Sequence, residues 1–85
     1  MNKILNIDKI KEKNMRKIKF NTDFIKLQQF IKLSGIVGQG SDAKMLILDG
    51  IVKVNGIVCT ERGKKIRDGD IIEIEQFGTF KAIGE

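Results

Sequence analysis

The chain has 85 residues, 41% of them apolar, with 16 Lys and Arg against 11 Asp and Glu for a formal net charge of +5. A chain of this length builds one hydrophobic core and not two, and so small a core leaves no room for a large substrate cavity. There is no His, Trp, Tyr or Pro and a single Cys, which excludes an internal disulfide, a His/Cys zinc site and any nucleophile–histidine relay, while the cationic surplus points to an anionic partner.

Residues 1–21 hold the surplus: Lys3, Lys9, Lys11, Lys13, Arg16, Lys17 and Lys19 stand against only Asp8 and Glu12. Within 1–14 the apolar positions Ile4, Ile7 and Ile10 are weakly spaced and uncapped, so this segment is expected to be a mobile lysine-rich leader to a single domain over 15–85. Met15 is a second candidate start, which the intact mass of the natively expressed protein decides. The longest apolar run spans only a few residues, so neither a secretory signal nor a membrane span is expected. The lone Cys59 fits a reducing cytoplasm and reads as an inert packing residue.

Ile18 and Phe20 alternate with Lys17 and Lys19 as one face of a strand. Phe24 and Ile25 are extended or helical; periodicity does not decide. Leu27, Phe30 and Ile31 then fall at helical spacing, and Ser34-Gly35 closes the helix. A tight connector, 36–40, leads to a second helix that starts at Ser41 as N-cap, has Asp42 in its first turn, runs through Ala43, Leu46 and Ile47, and stops at Gly50. Val52 and Val54 alternate with Lys53, Asn55-Gly56 supplies a positive-φ turn, and Ile57-Val58-Cys59 runs back as a hairpin. Beyond the basic loop 62–67, Asp68-Gly69-Asp70 turns into a strand with Ile72 and Ile74 facing in and Glu73 and Glu75 facing water. Phe77 and Phe80 around Gly78 predict a last short strand or a folded-back tail. The economical arrangement is α+β, two short packed helices on a small, mostly antiparallel sheet.

The densest chemical feature is Arg62-Gly63-Lys64-Lys65-Ile66-Arg67, four cations in six residues. Their mutual repulsion is relieved by phosphate oxygens, which favours nucleic-acid contact over the next reading, a solvated loop, with acidic protein or lipid surfaces as further choices. If this loop with Lys44 and Lys53 neutralises roughly four phosphates, log affinity falls with log salt at a slope of about −3 to −4. Without Tyr or Trp, backbone and groove contacts are favoured over base stacking. Gly38-Gln39-Gly40-Ser41-Asp42-Ala43 matches a dinucleotide fingerprint formally, but it follows a helix and not a strand, and the chain is too short for the rest of that fold. Asp68, Asp70, Glu73 and Glu75 read as turn and strand residues, not as metal ligands or an acid/base pair.

Taken in order, Lys26–Gly35, Ser41–Ile47, Gly50–Gly56 with its V-x-V-N-G, and Gly69–Ile74 with its G-D-x-I resemble the RNA-binding domain named after small-subunit ribosomal protein four, the alpha-L motif, over residues 16–76. The 62–67 run is similar to that of free-standing, single-domain bacterial members related to the YaaA and YbcJ proteins. The resemblance implies a helix pair on an antiparallel sheet and a positive face for structured RNA, ribosomal or transfer RNA. Two departures stand out. Many members begin the first helix Arg-Leu-Asp, where this chain has Lys26-Leu27-Gln28, and the second helix often starts Ser-Arg, where Asp42 follows Ser41 and Lys44 is the nearest cation.

The sequence is therefore expected to encode a non-catalytic, cytoplasmic, monomeric RNA-binding protein acting in ribosome assembly or translation, with no cofactor, metal, membrane or small-molecule substrate. The expected contacts are Lys26, Ser41, Lys44, Lys53, Asn55, Arg62, Lys64, Lys65 and Arg67. The rival reading is a protein–protein adaptor on a ribosomal or replication complex, and a weaker one is duplex DNA binding.

Overall fold

The computed structural model describes residues 15–85, and the leader expected over 1–14 lies outside the described residues. In chain order the elements are β1 (Arg16–Phe20), β2 (Ile25–Lys26), α1 (Leu27–Leu33), α2 (Gly40–Leu48), β3 (Val52–Val54), β4 (Ile57–Val58), β5 (Lys65–Ile66), β6 (Ile71–Ile74) and β7 (Gly78–Gly84). Five strands form one sheet in the order β1-β7-β6-β3-β4, and β2 and β5 form a separate two-stranded sheet. The α+β arrangement expected from sequence is therefore present. All pairings are antiparallel except β1 with β7.

Each element forms where local chemistry favours it. In α1 the spacing of Leu27, Phe30 and Ile31 places three buried side chains on one stripe, and Gly35 leaves the helix at φ +83. In α2 the buried pair is Ala43 and Ile47, four residues apart on one face. The β3–β4 hairpin turns through Asn55 at φ 52 and Gly56 at φ +85, the left-handed pair that a two-residue turn of this twist needs. In β6, Ile72 and Ile74 are buried while Glu73 is exposed.

The core lies between the helices and the large sheet. It gathers Leu27, Phe30, Ile31, Ala43 and Ile47 from the helices, Phe20, Val52, Val54, Ile72, Ile74, Phe80 and Ala82 from the sheet, and Ile66 from β5. The half-buried Ile36 and Val37 of the interhelical connector pack against it, as does Cys59, consistent with a packing role for that thiol.

Three details differ from the sequence-based expectation. The N-cap of α2 is Gln39, not Ser41: Gln39 is extended, its carbonyl accepts the N–H groups of Asp42 and Ala43, and Ser41 lies in the first turn without a capping hydrogen bond. The basic run is not a free loop, because Lys65 and Ile66 pair with Lys26 and Ile25, and Ile66 is fully buried. The C-terminal segment is neither short nor a tail: β7 is seven residues long and sits between β1 and β6, with Phe80 and Ala82 in the core.

Candidate nucleic-acid interface

The basic run is held by its backbone. The Leu27 N–H donates to the Lys64 carbonyl at 2.8 Å and the Gln28 N–H to the Arg62 carbonyl at 3.0 Å, so the run caps the otherwise unsatisfied first amides of α1. At its other end the Arg67 N–H donates to Asp70 Oδ2 at 2.8 Å. With main chain fixed at both ends and Ile66 sunk in the core, the side chains of Arg62, Lys64, Lys65 and Arg67 are all left exposed.

Phe24 orders two of these cations. Lys65 Nζ lies 4.8 Å and Arg67 Cζ 5.6 Å from the centroid of its ring, within the range in which a cation is attracted to the π-face. Sequence reasoning missed Phe24 as part of the site. The ring reaches the cluster through the β2–β5 pairing, for which the sequence carries no signal.

Lys26 joins the cluster through the small sheet, where it is the register partner of Lys65. Two like charges directly opposite each other in an antiparallel pair are destabilising. Lys65 lines a groove of about 540 Å³ bounded also by Lys64, Arg67, Asn55 and the hairpin residues Ile57 and Val58. Lys26 lines a shallower depression of about 240 Å³ with Gln28, Gln29, Lys32 and Gly40. The lysine pair is thus the ridge between two concavities, and a line of cations runs from Lys32 over Lys26 and Lys65 to Arg67. Ile57, 73% exposed, and Val58, 51% exposed, give the larger groove an apolar wall opposite its cations. Lys32, like Phe24, was not anticipated, although it lies four residues beyond Gln28 and hence on the same helix face.

Gln28 stands where the family resemblance leads one to expect a carboxylate. Its Nε2 donates to the Gly40 carbonyl at 2.9 Å and so ties α1 to the start of α2, a donor role that an ionised carboxylate cannot fill. Ser41 follows directly and is exposed. Lys44 is half-buried on α2 and lines neither concavity.

Two expected contacts are placed elsewhere. Lys53 alternates with the buried Val52 and Val54 and therefore points away from the core, on the outer face of the large sheet, where its register partner on β6 is Glu73. Asn55 is occupied within the fold: its Nδ2 donates to Asp70 Oδ1 at 3.1 Å and its Oδ1 accepts the Ile71 N–H at 2.9 Å. The neighbouring carboxylates are engaged too, since Asp68 Oδ1 accepts the Gly84 N–H at 2.9 Å. Among the described residues no group of three or more His, Cys, Asp or Glu side chains converges as metal ligands would, and no helix is long and apolar enough to cross a membrane.

Comparison with known proteins agrees with this architecture. The family model described as S4 domain matches residues 18–81. Over 66 residues, 78% of this chain and 93% of the other, the sequence is 38% identical to a Bacillus subtilis (strain 168) protein named "Probable ribosome maturation protein RlbA".

Proposed function

The chain belongs to the S4 domain family, and on that premise we propose that it is a non-catalytic RNA-binding protein that grips structured RNA, ribosomal or transfer RNA, by phosphate and shape. The observation that carries the reading is the opposed Lys26–Lys65 pair, a repulsion set into the backbone register and continued on both sides by Lys32, Lys64 and Arg67. A polyphosphate chain laid along this ridge converts that repulsion into attraction and releases its own counterions. Arg62, whose carbonyl caps α1, adds to this surface, and Ser41 and Lys44 on α2 stand as further proposed contacts. Lys53 and Asn55 drop out of the primary contact set, the first because it faces the other side of the sheet and the second because its amide is already bonded.

The relative named for ribosome maturation supports ribosome assembly as the process, and the proposal extends to a monomer acting in the cytoplasm. The test is a salt titration of binding to ribosomal RNA fragments, duplex RNA and duplex DNA. It compares the wild-type chain with the Arg62/Lys64/Lys65/Arg67→Ala variant. The wild type is expected to prefer RNA with a log–log slope of about −3 to −4, and the variant to lose most of both affinity and slope. Equal binding by the two proteins rejects the ridge. Absence of nucleic-acid binding at low salt transfers the site to an adaptor role on a protein partner.

A further inference from the structure

The large sheet carries a second like-charge lysine pair. In the parallel β1–β7 register Lys17 lies opposite Lys81, and Lys19, two residues along β1, lies opposite Ile83. Side chains alternate across a strand, and Phe80 and Ala82 point into the core, so Lys81 and its partner Lys17 stand on the outer face, with Lys19 beside them. Lys17 and Lys19 are exposed and Lys81 is half-buried. On its other side Lys81 faces Ile71 of β6, not an acid, whereas Lys53, further across the same face, has Glu73 as its register partner. The cations of this face are therefore gathered at the β1 edge, with Glu73, diagonal to Lys81, and Glu85, two residues beyond Ile83, as the nearest acids in the register.

This patch is separate from the ridge that grips RNA in the reading above. Ile66, next to Lys65, and Phe80, next to Lys81, are buried in the same core, so each lysine pair faces outward from it, one on the small sheet and the other on the large sheet. We propose that the outer face of the large sheet, through Lys17, Lys19 and Lys81, is a second phosphate-backbone contact, so that one chain holds two RNA segments at once, one on each sheet. The inference rests on the RNA-binding reading and extends it. Charge complementarity selects the occupant: three cations on the same face of two neighbouring strands suit a phosphate backbone, and no pocket for a base is needed there. The four lysines of residues 1–14 lead directly in sequence into the edge strand that carries Lys17 and Lys19.

The test uses the full chain and a short RNA duplex. Saturation is followed by stoichiometric titration, and bridging by energy transfer between donor- and acceptor-labelled duplexes. Wild type is expected to saturate at two duplexes per chain and to produce transfer. The Lys17→Gln/Lys19→Gln/Lys81→Gln variant is expected to saturate at one, lose transfer, and show a total salt slope smaller by about 2 to 3. Arginine at the same three positions should restore both readouts, which separates charge from any change in folding. Saturation of the wild type at one duplex, with binding that still depends on Arg62, Lys64, Lys65 and Arg67, overturns the second face and leaves the RNA-binding reading intact. Capture by this face of an acidic polypeptide in preference to the duplex also overturns it, and failure of the wild type to bind any RNA overturns both.

Discussion

Asn55 and Asp70, fifteen residues apart in sequence, are joined side chain to side chain at 3.1 Å. Asn55 is the turn residue of the V-x-V-N-G segment and Asp70 belongs to the G-D-x-I segment, so the two halves of the sequence pattern are a bonded pair. The bond has backbone support on both sides: the Asn55 N–H donates to the Ile71 carbonyl at 2.7 Å, and the other Asp70 oxygen holds the Arg67 N–H. The hairpin tip is thereby fixed to the end of the basic run.

Breaking this staple has a stability cost that is shared between the partners. Asn55→Ala removes two side-chain hydrogen bonds and places Ala at φ 52, and is expected to cost about 1–3 kcal/mol. Asp70→Ala should cost a similar amount, and the double variant clearly less than the sum of the two. Urea unfolding of all three checks this; strict additivity denies the coupling.

Lys26→Gln is expected to move stability and binding in opposite directions. Removing one charge of the Lys26–Lys65 pair relieves a cross-strand repulsion, so the free protein gains a few tenths to about 1 kcal/mol. The same change removes a cation from the ridge and lowers RNA affinity several-fold at low salt. Thermal unfolding and a binding titration on one preparation suffice, and a loss of both quantities refutes the opposition.

Phe24→Ala tests orientation apart from charge. The ring beneath Lys65 and Arg67 disappears while both cations remain, so affinity should fall and the salt slope stay close to its wild-type value. A slope reduced in proportion to affinity is the contrary result.

Gly56→Ala probes the turn itself. Nothing lies within 4 Å of the position a Cβ would take, so the only penalty is the left-handed φ of +85, expected to be about 1 kcal/mol. A much larger loss of stability in urea would mean that the added methyl meets packing not seen here.

The parts legible in the sequence were those with a local signature. Asn55-Gly56 announces its turn by backbone preference, and Ile72, Glu73 and Ile74 announce burial by alternation. Strand β5 had no such signature: two residues carry no periodicity, and their pairing depends on Ile25 arriving from the far side of α1. The start of α2 was misplaced because a serine beside a helix looks like a cap, whereas the chain begins its helical hydrogen bonding from the Gln39 carbonyl. At the interface the charge cluster 62–67 was visible, but Lys32 and Phe24 join it only through the fold. Lys53 is the instructive case, since the alternation that identified its strand already placed it on the opposite face from Val52 and Val54 and so apart from the 62–67 cluster.

The position of β7 bears on how the protein is made. The last of the described strands in chain order is an inner strand of the sheet, hydrogen-bonded to β1 on one side and to β6 on the other. While the ribosome is still polymerising the preceding residues, β1 has no neighbour and the core lacks Phe80 and Ala82. Every cation of the ridge has been added to the chain by then, but the domain that must hold them in place has not closed. The fold therefore closes only once residues 78–84 are available to pair, and a chain truncated before residue 78 would carry the ridge's charges without its geometry.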